Sequence, residues 1–239
     1  MLDTAKVQAS NPAISIVIPV FNEAVLIERV CRSLADILSP LDEIIVVDGG
    51  STDGTQDIVR RINSVLLVES SAGRALQMNA GAEQAKGDIL LFLHADTTLP
   101  VEFANQLRDA FWPSKNRWGR FDVRLSGDHA ALRLIEFMMN HRARLTGICT
   151  GDQCIFVKRD DFKRVPYPVI ALMEDIEISK RLNGFSKPFV IRLPVVTSSR
   201  KWESEGILKT LLLMWRIRLL YFFGESPERL AARYYKKKH

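Results

Sequence analysis

Three short apolar runs before Pro100 each break off into a polar, turn-forming segment, and few folds accept that pattern three times over. The middle run, Ile44 to Val47, is β-branched and uninterrupted, which reads as a strand buried on both faces. It ends in Asp48 and the glycine-rich turn from Gly49 to Thr55, where Ser51, Thr52 or Asp53 can cap a following helix. Upstream, Ile14 to Ile18 stops at Pro19, and Asn22 can cap a helix whose apolar positions Ile27, Val30, Cys31, Leu34 and Leu38 keep helical spacing. Downstream, Ile89 to Leu93 delivers His94 and Asp96 to a strand end. Buried strands alternating with helices predict an α/β fold with a mostly parallel, doubly wound sheet, and such sheets bind ligands along their carboxyl rim.

The rest of the chain supplies further elements. Val65 to Glu69 reads as a strand, Ala75 to Lys86 as a helix, and Val101 to Trp112 as a helix between Pro100 and Pro113. Trp118 to Leu125 alternates apolar and polar residues, the pattern of a half-exposed strand, and His129 to Leu145 has helical spacing. Cys154 to Val157 is a predicted strand, Asp175 to Leu182 a helix ended by Gly184, and Val190 to Ser198 an extended segment broken at Pro194.

Taken in order, Pro19-Val-Phe-Asn-Glu23, Val46-Val-Asp-Gly-Gly-Ser-Thr-Asp-Gly-Thr55 and His94-Ala-Asp96 resemble the nucleotide-sugar half of family 2 glycosyltransferases, which have the GT-A fold. The resemblance continues through Gly151-Asp-Gln153, Glu174-Asp175 and Arg200-Lys-Trp202. It implies one GT-A domain over 1–203, with a nucleotide-binding half to about residue 98 and an acceptor half after it, and a helical tail over 204–239. The implied activity is inverting, metal-dependent transfer of a sugar from a nucleotide diphosphate sugar to an acceptor hydroxyl, a lipid-linked one included.

Residue by residue, the resemblance places Pro19, Asn22 and Glu23 at the donor, with Asp48 accepting a hydrogen bond from the nucleobase and Asp53 close by. For Asp53, capping of the next helix is the competing reading. Asp96 would be the metal-coordinating carboxylate of the family's Asp-x-Asp motif, its hard oxygen favouring Mn²⁺ or Mg²⁺. His94 stands at the motif's first acidic position, followed by Ala95, and can ligate manganese or orient Asp96 or a phosphate. Arg74, near a helix N-terminus, could grip a phosphate or pair with a surface acid; Asn79 could reach the nucleotide. Met78 occupies the place where family members often carry an arginine, which Arg74 would replace. Asp175 is the implied general base, supported by Glu174, with a solvated helix start as the alternative. Gly151, Asp152 and Gln153 could meet sugar hydroxyls or form an ordinary turn; Arg200 would offer a cation to the diphosphate and Trp202 a ring for stacking.

Charge and cysteines narrow the partners. The net charge of +5 suits anionic substrates or an anionic membrane face, while dispersed Lys and Arg and the lack of a binding-module signature argue against nucleic acid. Cys31, Cys149 and Cys154 are odd in number and lack metal-ligand spacing, so reduced thiols and a cytoplasmic location are expected. Met1 to Pro12 carries no apolar signal core. Ile207 to Phe223 is almost wholly apolar, with Leu208, Leu212, Trp215, Leu219 and Phe222 in one stripe. Packing on the body or a second copy competes with an interfacial helix on the cytoplasmic membrane face, helped by Arg233 and Lys236 to Lys238. Three other classes compete, and one of them, a dinucleotide oxidoreductase, would want Gly-x-Gly-x-x-Gly, which is absent from the sequence. A sugar nucleotidyltransferase would need a basic glycine-rich loop after the first strand, where Pro-Val-Phe-Asn-Glu stands instead; a non-catalytic nucleotide-sugar-binding scaffold differs in lacking turnover.

Overall fold

β-branched runs become buried strands in the computed structural model, which describes residues 11–235. The readings that rest on Met1–Ser10 and on Lys236–Lys238 lie outside the described residues. The chain runs β1 (Ile14–Val20), α1 (Ala24–Ala35), β2 (Glu43–Asp48), α2 (Thr55–Arg60), β3 (Val65–Glu69), α3 (Arg74–Gln84), β4 (Ile89–Phe92) and β5 (Thr97–Thr98). α4 (Phe103–Asn105) follows, and its helix widens into π-helical turns over Gln106–Phe111. Then come β6 (Trp118–Leu125), α5 (Ala130–Thr146), a 3₁₀ turn (Gly151–Gln153), β7 (Phe156–Lys158), α6 (Arg159–Arg164) and α7 (Glu174–Asn183). β8 (Phe189–Thr197), α8 (Arg200–Glu205), α9 (Ile207–Phe222) and α10 (Pro227–Tyr235) complete it.

The strands form one sheet in the order β3-β2-β1-β4-β7-β6-β8-β5. β3, β2, β1 and β4 are all parallel, as the three repeated strand–turn units require. β7 runs antiparallel to β4 and β6, while β6 and β8 are parallel and β5 closes the edge antiparallel to β8. Pleating splits the core in two. Ile14, Ile16 and Ile18 face α1, α2 and α4 through Ile27, Val59, Phe103 and Leu107; Val17, Ile45 and Val47 face α3, α6 and α7 through Met78, Phe162 and Ile178. Each such side chain contributes about 1.5–3 kcal/mol on burial. Gly81 lets α3 lie flat on the sheet: a Cβ there would overlap Val17 and Val47.

Three expectations need correction. β6 is buried, not half-exposed, because α5 covers its polar face. Arg120, wholly buried, pairs with Asp122 at 2.7 Å, and Arg144 of α5 joins them, so the alternation that mimics solvent exposure is an internal ion network. Asn140 of α5 exchanges two 2.9 Å hydrogen bonds with the backbone of Val123, where β6 and β8 lose register. Pro194 therefore marks a bulge inside a continuous β8 rather than a break. Asn22 does not cap α1. It adopts a left-handed φ of 57° and accepts from Thr52 N–H at 2.9 Å, while Asp53 supplies the cap to Ala24 N–H at 3.0 Å.

α9 packs on the body with the face opposite the stripe seen in sequence. Thr210 and Ile217 are buried, and Ile217 clusters with Met173 and Leu230. Leu208, Leu212, Trp215, Leu219 and Phe222 remain exposed. Among the described residues no helix is long and apolar enough to cross a membrane. All three cysteines are free and buried.

Candidate active site

The parallel strands open a cleft at their carboxyl ends, and a buried amide keeps its floor in place. Gln77 of α3 donates Nε2 to the carbonyls of Val20 (2.7 Å) and Val47 (2.8 Å), tying the ends of β1 and β2 together. The cleft has a volume of about 570 Å³ and is lined by Pro19, Glu23, Arg74, His94, Ala95 and Asp96. Glu174 from α7 and Tyr235 from α10 form the opposite wall. A pocket of this size suits a small-molecule ligand. Two glycine turns, before α3 and before α9, take positive φ, and the tail so folded becomes part of the site.

Asp48, Asn22 and Asp53 stand behind that cleft rather than on its lining. Asp48 is fully buried; its Oδ1 accepts from Gly50 N–H and Ser51 N–H (both 2.9 Å) and from Gln56 Nε2 (2.7 Å). Burial pushes this carboxyl up, but those hydrogen bonds outweigh it and hold it below the usual range. Its Oδ2 has no hydrogen-bond partner among the described residues, an unmet acceptor suited to a nucleobase N–H. Asp53 accepts from Thr55 and Ala24 with its two oxygens, so it locks two loops together. Asp48→Asn should therefore keep the turn through Oδ1 and the fold's cooperative melting, while nucleotide affinity falls by about tenfold or more through the lost acceptor. Calorimetry on the folded variant checks this; unchanged affinity would remove Asp48 from the donor site.

Beside the cleft lies a smaller chamber that shares Arg74, His94 and Glu174 with it and contains Gly151, Asp152 and Asp175. Asp175 Oδ2 accepts from Gly151 N–H at 3.2 Å and Oδ1 from Ile176 N–H at 2.8 Å. Burial and the adjacent Glu174 carboxylate raise its pKa to about 6, against the pull of Gly151, Ile176 and Arg74. A left-handed Met173 (φ 72°) turns the chain so that both acids enter the first turn of α7. Such strained backbone at a cluster of acids is typical of functional sites. Arg74 loses some proton affinity to desolvation, yet Glu174, Tyr235 and Asp152 more than restore it. Asp152 lies 3.5 Å from His94 Nδ1; burial raises its pKa, but His94, Arg74 and Lys201 hold it below the usual range.

Gly151 matters for a steric reason. A Cβ there would intrude on the His94 ring, so the ring's position depends on the missing side chain. Gly151→Ala should displace His94, cost about 1–3 kcal/mol of stability by overpacking, and be visible as a lowered melting point. An unchanged melting point and an unmoved His94 NMR signal would show that the ring has room to give.

Several residues expected at the ligand are engaged elsewhere. Asn79 bonds both backbone groups of Tyr167, at 2.9 and 3.0 Å, and so holds a loop instead of reaching the nucleotide. Gln153 is fully buried, bonded to Thr150 N–H and to Asn140 (both 3.3 Å), which removes it from sugar hydroxyls. Arg200 bonds Ser198 Oγ, whose backbone N–H in turn bonds the Asp96 carbonyl (3.1 Å), so β5 and β8 bring Arg200 near the metal motif. Trp202 faces an apolar groove beside α5, away from the donor cleft. Reasoning from sequence missed Gln77, whose signal was a polar amide among the core-facing positions Ala75, Met78 and Gly81 of α3.

No group of three metal-ligating side chains occurs among the described residues. A hard cation of the magnesium kind takes one or two carboxylates and completes its shell with water and substrate phosphates. Asp96 is exposed at the cleft rim, with Oδ1 at 3.4 Å from Thr97 Oγ1, and His94 lies two residues before it. The donor set fits.

Comparison with known proteins agrees with this geometry. A family model described as glycosyl transferase family 2 matches residues 15–163. Glycosyltransferase AglE of Haloferax volcanii is 36% identical over 93 residues, 36% of this chain and 31% of that protein. An undecaprenyl-phosphate 4-deoxy-4-formamido-L-arabinose transferase of Aeromonas hydrophila is 35% identical over 108 residues, 41% of this chain and 33% of that one. The chain thus aligns with about a third of these relatives' length. Among solved structures, the mannosyltransferase PcManGT of Pyrobaculum calidifontis, in complex with GDP-Man and Mn²⁺, superposes with a TM-score of 0.65 at 22% identity, covering 91% of this chain and 66% of that chain. Glucosyl-3-phosphoglycerate synthase of Mycobacterium tuberculosis, in complex with Mn²⁺, UDP and glucosyl-3-phosphoglycerate, gives 0.59 at 21%, covering 77% and 70%. These structures share the GT-A fold with it, and since the family model spans more than half of the sequence, from the first strand through α6, the chain belongs to glycosyl transferase family 2.

Proposed function

We propose that the protein is an inverting glycosyltransferase that moves a sugar from a nucleotide diphosphate sugar to an acceptor hydroxyl, with Asp175 as the base. The observation that carries this is a carboxyl tuned to about 6 in a chamber that opens onto the donor cleft. Asp175 takes the acceptor's proton; the acceptor oxygen bonds to the anomeric carbon as that carbon's bond to the diphosphate oxygen breaks. The nucleoside diphosphate departs, and attack from the opposite face inverts the anomeric centre. Arg74, held protonated by Glu174 and Asp152, offsets charge gathering on the leaving group, with Arg200 on the same side as Asp96. Asp96, with His94 beside it, would hold a Mn²⁺ or Mg²⁺ ion, whose Lewis acidity stabilises a diphosphate leaving group. The PcManGT and glucosyl-3-phosphoglycerate synthase complexes, each with Mn²⁺ and a nucleotide, support that reading. Buried, unpaired thiols suit the cytoplasm, where we place the reaction.

The experiment is a thermal-shift screen of nucleotide diphosphate sugars with and without Mn²⁺, followed by NMR of the product's anomeric configuration. Manganese-dependent stabilisation by one donor class and an inverted product are expected. Retention of configuration would overturn the mechanism, and binding without either transfer or donor hydrolysis would make the protein a scaffold.

A further inference from the structure

The tail folds back over the donor cleft and uses two adjacent tyrosines differently. In α10, Leu230 and Ala231 are buried, and Leu230 clusters with Ile217 and with Met173, the left-handed residue that turns Glu174 and Asp175 into α7. Tyr234 holds the helix in place: Lys201 of α8 donates to its hydroxyl and lies over its ring, 3.6 Å from the centroid. Tyr235 has no such duty. It lines the cleft, is 48% exposed, and its hydroxyl has no hydrogen-bond partner among the described residues. Its ring is nevertheless fixed, edge-on to Tyr234 with centroids 5.0 Å apart and 81° between the planes.

The neighbours of that hydroxyl say which part of a donor it would meet. Burial in the cleft raises its pKa, Arg74 pulls it down, and Tyr234 and Glu174 push it up again, so Arg74 and Glu174 both stand close to it. Arg74, His94 and Glu174 line the cleft and the Asp175 chamber alike, and so mark the passage between leaving group and base. The transferred sugar must occupy that passage. Its anomeric carbon is bonded to the diphosphate on one side and is attacked by the acceptor oxygen from the other. A pyranose offers a C–H face and a rim of hydroxyls, and tyrosine answers with an apolar ring and a polar tip. A side chain that merely plugged the cleft would fill it, yet about 570 Å³ stays open beside Tyr235. α10 also lies beyond residues 15–163, the segment shared with the family, where one member is free to differ from another in what it selects.

We propose that Tyr235 determines which sugar is transferred: its ring covers the C–H face of the donor's pyranose, and its hydroxyl pairs with one of the sugar's hydroxyls. This rests on the proposed function, because the sugar is placed by a leaving group at Arg74 and a base at Asp175. Tyr235 takes no part in proton transfer, so its effect falls on the sugar and not on the nucleoside diphosphate.

Calorimetry in Mn²⁺ compares UDP-glucose, UDP-N-acetylglucosamine and GDP-mannose with UDP and GDP. Tyr235→Ala should weaken the best-bound sugar nucleotide by about 10- to 100-fold and leave the affinity for its own nucleoside diphosphate unchanged. Tyr235→Phe keeps the ring and should lose about 2- to 10-fold. Both variants should melt as the wild type does, since the side chain stands half outside the core. Equal losses for sugar nucleotide and nucleoside diphosphate, or no loss for either, would overturn the proposal. Tighter binding of both by Tyr235→Ala would make Tyr235 a plug and overturn it as well. Failure of the donor site itself looks different. A wild type that binds neither UDP nor GDP sinks the proposed function, whereas sugar transfer with an unchanged preference in Tyr235→Ala sinks the role of Tyr235 alone.

Discussion

Asp175→Asn is expected to lower sugar transfer by about 10²–10⁴-fold, the usual worth of a positioned general base, with donor affinity preserved. Asn keeps the size and can still accept from Gly151 or Ile176, so the chamber survives without a group that takes a proton. In the wild type, transfer should rise with pH through a midpoint near 6, because the base works only when ionised. The stability effect has the opposite sign. A carboxyl whose pKa is raised by folding binds its proton more tightly in the folded state, so the wild type loses stability as pH rises from its unfolded value near 4 through about 6. The Asn variant should therefore melt higher than the wild type at pH 7, with the gap closing below pH 4. Paired melting curves and product assays across pH 4–8 check both. Near-normal turnover in the variant would shift the role to Glu174 or Asp152.

Asp96→Asn should abolish the manganese dependence of nucleotide binding, with affinity in Mn²⁺ falling by about 10- to 100-fold or more. Under the proposed function Asp96 is the carboxylate that would hold the cation at the cleft rim, so the substitution removes its hard oxygen donor. Asp96 is exposed, and its backbone bond from Ser198 does not involve the carboxylate, so the fold should be unaffected. Calorimetric titration of nucleoside diphosphate with Mn²⁺, Mg²⁺ and chelator separates the cases. Wild-type affinity in Mn²⁺ would end the metal assignment, and an intermediate loss rescued by Mn²⁺ but not Mg²⁺ would point to His94 as a nitrogen ligand.

The parallel half of the sheet was legible because it is a local pattern. Ile14–Val20, Glu43–Asp48 and Ile89–Phe92 are buried on both faces, so burial leaves an uninterrupted apolar run, and each run's end names the residues at the rim. Glu174 and Asp175 were legible as acids at the start of a helix, a pattern that suggests a solvated turn, yet Glu174 is buried there. What one segment owes to a distant one was not. Trp118–Leu125 alternates like a surface strand, and only α5 packing over it turns Arg120 and Asp122 inward as a buried pair. Asn79 and Gln153 lie in donor-like motifs, yet their amide groups meet backbone and side-chain partners from other parts of the chain. The apolar stripe on α9 left packing on the body, a second copy or a membrane face open, and it is the exposed side, since Ile217 and its neighbours on the other side meet Met173 and Leu230. Asp175's raised pKa likewise depends on burial beneath the tail, which outweighs the opposing pull of Arg74, set a hundred residues earlier in the chain. By itself the sequence determined which strands form and which residues reach their ends, because periodicity and turn chemistry act over a few neighbours. Tertiary structure alone decided which polar groups stay free to bind, because that depends on the partners that other segments bring.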